Sequence, residues 1–151
     1  MTPSRIRTDI VTEKTAWVRK MLSGLESLPL ASLQEFTADS KTPAAAESYL
    51  RRALEALLDL GRHVLAKGFG HPVTEYKEIP DQLHAKGILS EQEAVLLREM
   101  AGYRNRMVHF YDEISTEELF SICAGRRGDI DLVLSRIVGW ITVHPERTDS
   151  A

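Results

Sequence analysis

The chain reads as an all-α, up-and-down helical bundle with short additional helices. Apolar residues recur at steps of three and four through every long segment, and Ser-x-x-Glu boxes and a Thr-Pro pair mark helix starts. No stretch shows the alternating pattern of a strand bounded by hairpin turns, and there is no internal repeat or low-complexity tract.

Ser4 is placed to cap a first long helix carrying Ile6, Ile10, Trp17, Met21, Leu22, Leu25 and Leu28, which Pro29 ends. A short segment around Leu33 and Phe36 leads to Thr42-Pro43, a hydroxyl cap with proline at the first helical position. The helix that follows presents Ala46, Leu50, Ala53, Leu57, Leu60 and Val64 in alternating steps of four and three. That is a seam for lengthwise helix packing, expected to serve the core of one chain before a dimer interface. Gly68, Gly70 and Pro72 stop it.

Pro80 opens a brief helix that Gly87 closes, and Ser90 with Glu93 forms a capping box preceded by the apolar pair Ile88-Leu89. A second box, Ser115 with Glu118, starts a helix ending near Gly125, and a last helix runs from about Asp129 through Leu134, Ile137, Val138 and Ile141. Residues 1–143 read as one helical domain and 144–151 as a loose tail.

At 151 residues the chain has room for one domain with a real core. Its 43% apolar and 27% charged residues are ordinary globular values. A net charge of −3 argues against a broadly basic coat, yet the excess of arginine over lysine among its 19 cations leaves room for a local phosphate-binding patch. The single Cys123 cannot form an intramolecular disulfide, and the histidines show no zinc-ligand spacing, so neither metal nor cofactor is expected. The start, MTPSRIRTDI, has no continuous apolar segment, and no window approaches a membrane span, which places the chain in the cytosol on this reading.

The stretch from Arg104 to Tyr111 concentrates chemistry at the end of a helix: a permanent cation, Arg104, with Asn105 beside it, a titratable base, His109, and a phenol, Tyr111. For this composition chance gives about 0.4 pairs of Arg and His five apart but only about 0.01 with Tyr two residues further on. At about 100° per residue, positions 104 and 109 stand about 140° apart on an ideal helix and cannot face one spot. Either the helix ends between them, at the β-branched and aromatic run from Val108, or a second copy supplies the partner across a two-fold axis.

Such residues suit RNA cleavage by the ribose 2′-hydroxyl. His109 takes the hydroxyl proton and a partner-chain copy protonates the leaving oxygen, while Arg104 holds the phosphate and Asn105 orients one of them. Arg51, Arg52, Arg62 and Arg106 are candidate RNA contacts; Arg98 and the pair Arg126-Arg127 read as solvated charge as readily. Asp59 and His63, four apart, read as a structural pair, and His71, His84 and His144 as incidental. The bland reading of Arg104 and His109 is that they satisfy carbonyls at a helix end.

Arg104-x-x-x-x-His109-x-Tyr111, with Asn105 after the arginine, resembles the signature of the HepT toxins, a branch of the HEPN ribonucleases. Tyr49 to Glu55 followed by Asp59-x-Gly61-x-His63, and Leu83 to Met100 leading into the motif, extend the likeness over roughly residues 5–141. The resemblance implies the toxin of a type VII-like toxin–antitoxin pair: a dimeric, metal-independent endoribonuclease acting on tRNA or mRNA. A MntA-type minimal nucleotidyltransferase antitoxin would restrain it by transferring AMP to the motif tyrosine, here Tyr111. The competing class is a non-catalytic nucleotide-binding or scaffold module of the HEPN type, which would use the same residues to position a substrate for a partner nucleotidyltransferase.

Overall fold

The structure, a computed structural model, describes residues 4–109 and 114–150. Among them are seven α-helices and no strand beyond one isolated bridge. They are α1 (Thr8–Glu26), α2 (Leu33–Thr37), α3 (Lys41–His63), α4 (Ile79–Ala85), α5 (Glu91–Val108), α6 (Thr116–Gly125) and α7 (Arg127–Thr142). A π-helical turn, Val64–Gly68, prolongs α3, and 3-10 turns occupy Tyr76–Glu78 and Pro145–Arg147.

Helix α3 is the hub, and every other α-helix packs on it. The reason is compositional. The predicted seam residues Ala46, Leu50, Ala53, Leu57, Leu60 and Val64 are all fully buried, and Leu54, Leu58 and Leu65 add a second buried face. A helix apolar on so much of its circumference must be enclosed by its neighbours. The seam therefore serves the core of this chain, as its spacing suggests, with α1 lying along it.

Gly61 sets how closely α4 can approach. A Cβ there would stand 2.8 Å from Ile79 Cγ2 and 3.1 Å from a Leu83 methyl, so only glycine admits α4 at this separation. The 3-10 turn that precedes α4 is thereby held against α3. Gly87, at φ 78°, turns the chain out of α4 in the left-handed region that glycine adopts without penalty.

Several helix starts differ from expectation. Ser4 does not cap α1, because Ile6 is drawn fully into the core in an extended segment bridged to Thr148, and the helix begins only at Thr8. Its first turn is satisfied from the other end of the chain, where Asp149 Oδ1 accepts the Thr8 N–H at 3.0 Å and the Thr8 hydroxyl at 3.1 Å. Helix α3 starts at Lys41, ahead of Thr42-Pro43, because Asp39 accepts the Lys41 N–H at 2.9 Å. Pro43 still falls within the first turn, where its missing N–H costs nothing.

The Ser90 and Glu93 capping box is complete. The second is half formed: Ser115 accepts the Glu118 N–H at 3.1 Å, but the Glu118 carboxylate takes both terminal nitrogens of Arg106 at 2.8 Å instead of reaching back. Two bonds between a carboxylate and a guanidinium outweigh one between a carboxylate and a neutral backbone N–H.

Residues 144–150, expected to be loose, are docked. The Ile6 N–H donates to the Arg147 carbonyl at 2.8 Å, the Asp149 N–H donates to that of Ile6 at 2.9 Å, and Arg147 Nη1 donates to the Gly68 carbonyl at 2.7 Å. Thr148 is only 2% exposed. A polar segment gives no apolar periodicity to announce such docking; it is held by hydrogen bonds to the N-terminal segment.

Candidate active site

Helix α5 carries the motif to its C-terminus and stops there. Val108 is its last residue, and His109 leaves it in an extended conformation at φ −106° and ψ 99°, its N–H still donating to the Asn105 carbonyl at 3.2 Å. The helix end removes the obstacle that an ideal helix would impose. Arg104, Asn105 and His109 line one cavity of about 460 Å³, and Arg62, Tyr76 and Lys77 close its other side. Of the two expected ways of bringing arginine and histidine together, the helix end operates within one chain.

Arg104 is held on three sides. Its Nε and Nη2 donate to Glu55 Oε2 at 3.2 and 2.9 Å, its Nη1 donates to Asn105 Oδ1 at 3.3 Å, and its Cζ lies 4.7 Å from the Tyr76 ring centroid. Of the two orienting roles open to Asn105, its bond to the Arg104 guanidinium fills the one toward the arginine. Glu55 bridges two cations, since its other oxygen accepts from Arg51 Nη1 at 2.9 Å. The Arg104 side chain keeps 24% of its surface exposed, a guanidinium fixed in direction and still open to the cavity.

On the opposite wall the Tyr76 hydroxyl donates to Asp59 Oδ1 at 2.8 Å. Burial and that hydrogen bond push its phenol up to about 12, so at neutral pH it stays a protonated donor. Arg62 places its Cζ 4.7 Å from the same ring and donates through Nη2 to the Thr74 carbonyl at 3.1 Å.

The remaining candidates fall elsewhere. Arg51 is tied to Glu55, Arg106 is paired with Glu118 on α6, and Arg52 is exposed; none of the three lines the cavity. Arg62 alone of the four candidate RNA contacts does so. Asp59 and His63 do not pair with each other: Asp59 serves Tyr76, and His63 Nε2 accepts the Arg7 N–H at 3.0 Å. Burial, with Lys67 and Arg7 nearby, holds the His63 pKa below its usual value, as suits a neutral acceptor. Arg126 is engaged by Glu99 and Asp129, Arg98 by Asp81. Tyr111 lies outside the described residues.

Sequence reasoning assigned no role to Glu55 or Tyr76. Glu55 shows a local signal, the four-residue step from Arg51, but its tie to Arg104 spans 49 positions. Tyr76 stands in a short turn with no periodicity to place it. Among the described residues no group of three or more His, Cys, Asp or Glu side chains could hold a metal ion, and no helix is long and apolar enough to cross a membrane.

Known proteins share the fold that carries these residues. A curated tRNA nuclease HepT from Aphanizomenon flos-aquae (strain 2012/KM1/D3) is 23% identical over 141 residues, covering 93% of this chain and 95% of its own. The fold is similar to that of a tri-AMPylated Shewanella oneidensis HEPN toxin solved in complex with an MNT antitoxin, with a TM-score of 0.79 and 19% identity over 87% of this chain and 98% of that one. It is also similar to YutE, a cytosolic protein of unknown function from Bacillus subtilis, with a TM-score of 0.74 and 17% identity over 88% and 89% of the two chains. The model of the family described as ribonuclease HepT-like matches residues 19–137, most of the chain including Arg104. The chain therefore belongs to the ribonuclease HepT-like family.

Proposed function

We propose that this protein is the toxin of a toxin–antitoxin pair, a metal-independent endoribonuclease acting as a homodimer in the cytoplasm on tRNA or mRNA. The observation that carries the reading is the convergence of Arg104, Asn105 and His109 on one open cavity of a single chain. A helix end that merely satisfied its own carbonyls would not need an arginine clamped by Glu55, Asn105 and Tyr76 at the cavity wall.

In the proposed reaction, neutral His109 accepts the proton of a ribose 2′-hydroxyl as that oxygen attacks the adjacent phosphorus. The bond from phosphorus to the 5′-oxygen breaks, and protonated His109 of the second copy supplies the proton that the leaving oxygen takes up. The products are a 2′,3′-cyclic phosphate and a 5′-hydroxyl. Arg104, directed by Asn105, offers nitrogens to the phosphate oxygens as negative charge builds on them. Arg62 lies where it can meet the RNA backbone; Arg51, Arg52 and Arg106 remain candidates for contacts outside the cavity.

Control by a nucleotidyltransferase antitoxin is part of the same reading. Tyr111 stands two residues beyond His109, so AMP joined to its oxygen, with pyrophosphate leaving ATP, would bring an anionic phosphate and a nucleoside to the mouth of the cavity. It would compete for Arg104 and block RNA. The AMPylated state of the Shewanella toxin supports this reading.

The test is incubation of purified protein with RNA in the presence of a chelator. Wild type cuts, and Arg104→Ala and His109→Ala do not. Full cleavage by either variant rejects the mechanism, whereas tight nucleotide binding with no cleavage by wild type favours a scaffold module.

A further inference from the structure

Two guanidinium groups share one aromatic ring in the cavity, the Cζ atoms of Arg62 and Arg104 each lying 4.7 Å from the Tyr76 centroid. Like charges so close repel one another. The arrangement is nevertheless held from several directions. The π-electrons of the ring attract both cations, and Asp59 accepts the Tyr76 hydroxyl at 2.8 Å while standing 3.6 Å from Arg62 Nη1. The Thr74 carbonyl restrains Arg62, and Glu55 restrains Arg104. Arg62 Nε is buried with no hydrogen-bond partner, so the group is held chiefly by its ring contact and its outer nitrogens.

The geometry has a chemical meaning. The two cations stand no further apart than twice their distance to the ring, within reach of successive phosphates on one strand. Lys77 adds a third positive charge to the lining, where the carboxylate is Glu75, while Asp59 and Glu55 back the two arginines from outside the lining. One phosphate would be served by Arg104 alone. A second cation kept beside it at the cost of repulsion matches a ligand with two negative charges at fixed spacing.

We propose that the cavity grips two consecutive phosphates of one RNA strand, the scissile one at Arg104 and its neighbour at Arg62, with Tyr76 as the positioning residue that fixes both guanidiniums. This deepens the nuclease reading and rests on it for the word scissile. Tyr76 touches neither phosphate; it acts through the two arginines.

The experiment compares kcat/KM for a dinucleoside monophosphate with the same compound carrying an additional 5′- or 3′-phosphate. In wild type, the added phosphate at one of the two ends raises kcat/KM about tenfold, as expected for one further charge-assisted contact. In Arg62→Gln and in Tyr76→Leu that ratio falls to about one, while Tyr76→Phe, which keeps the ring, retains at least about threefold. No gain at either end in an active wild type, or a gain that survives in Arg62→Gln or in a folded Tyr76→Leu, overturns the proposal. Should Tyr76→Leu fail to fold by circular dichroism, the part-exposed Arg62→Gln decides. If wild type cuts no RNA, the nuclease reading fails on its own, and the same ratio is then read as Kd for 2′-deoxy dinucleotides with and without the terminal phosphate. An equal Kd for the two in wild type overturns the two-phosphate grip.

Discussion

The two ends of α5 use the same chemical groups to opposite ends. At its N-terminus Glu93 is nearly buried, at 8% exposed, accepts the Ser90 N–H at 2.8 Å and pairs with Arg136 Nε at 2.7 Å. At the C-terminus Glu55 likewise binds Arg104, yet the guanidinium still borders a cavity of about 460 Å³ with Asn105 and His109 beside it. One arginine–carboxylate pair closes a helix; the other aims a cation. What separates the two pairs is the space the charge faces, and residue type alone does not reveal it.

Breaking the C-terminal end should cost activity and little stability. Arg104→Ala and His109→Ala are expected to lower kcat/KM for RNA cleavage by at least about 10²-fold, the scale of losing one general base or one transition-state donor. Thermal unfolding should stay close to wild type. A variant that loses its cooperative transition along with its activity would contradict the contrast.

A core change should do the reverse. Leu57→Ala, at a fully buried position on α3, should lower stability by about 2–5 kcal/mol, read from denaturant midpoints. Ser90→Ala removes the side-chain acceptor of the Glu93 N–H and should cost about 1 kcal/mol with kcat/KM unchanged.

The smallest effect is a pH dependence at the N-terminal end. Burial works to raise the Glu93 pKa, but the Ser90 N–H and then Arg136 outweigh it and hold it below the ordinary 4.5. A depressed carboxylate stabilises the fold above its unfolded value, and that stability is lost as pH falls through the folded value. The melting temperature should therefore decline below about pH 4.5, and Glu93→Gln should show a shallower decline. An identical slope in both proteins would remove Glu93 from the acid limb.

Much of this contrast was legible in the sequence. The buried seam on α3 and the Ser90 box are local patterns of period and capping, and both appear as read. The motif's direction was half legible: the β-branched and aromatic run after Arg106 suggested a helix end, and Val108 is where it falls. What escaped depends on distant partners. Asp149 capping α1, Ile6 drawn into the core by Thr148, and Tyr76 placed by the close approach of α4 at Gly61 are contacts between segments with no shared periodicity. The second capping box misled for a related reason: Glu118 had a better partner in Arg106, twelve residues away on another helix.

The central claim is that Arg104 and His109 form one site for attack by a ribose hydroxyl. The direct measurement maps the cleavage position in a preferred RNA, then replaces that one ribose with 2′-deoxyribose in the presence of a chelator. The account predicts that the substituted RNA stays intact at that position and that the unmodified RNA yields 2′,3′-cyclic phosphate and 5′-hydroxyl ends. Cleavage of the substituted RNA at the same bond would contradict it.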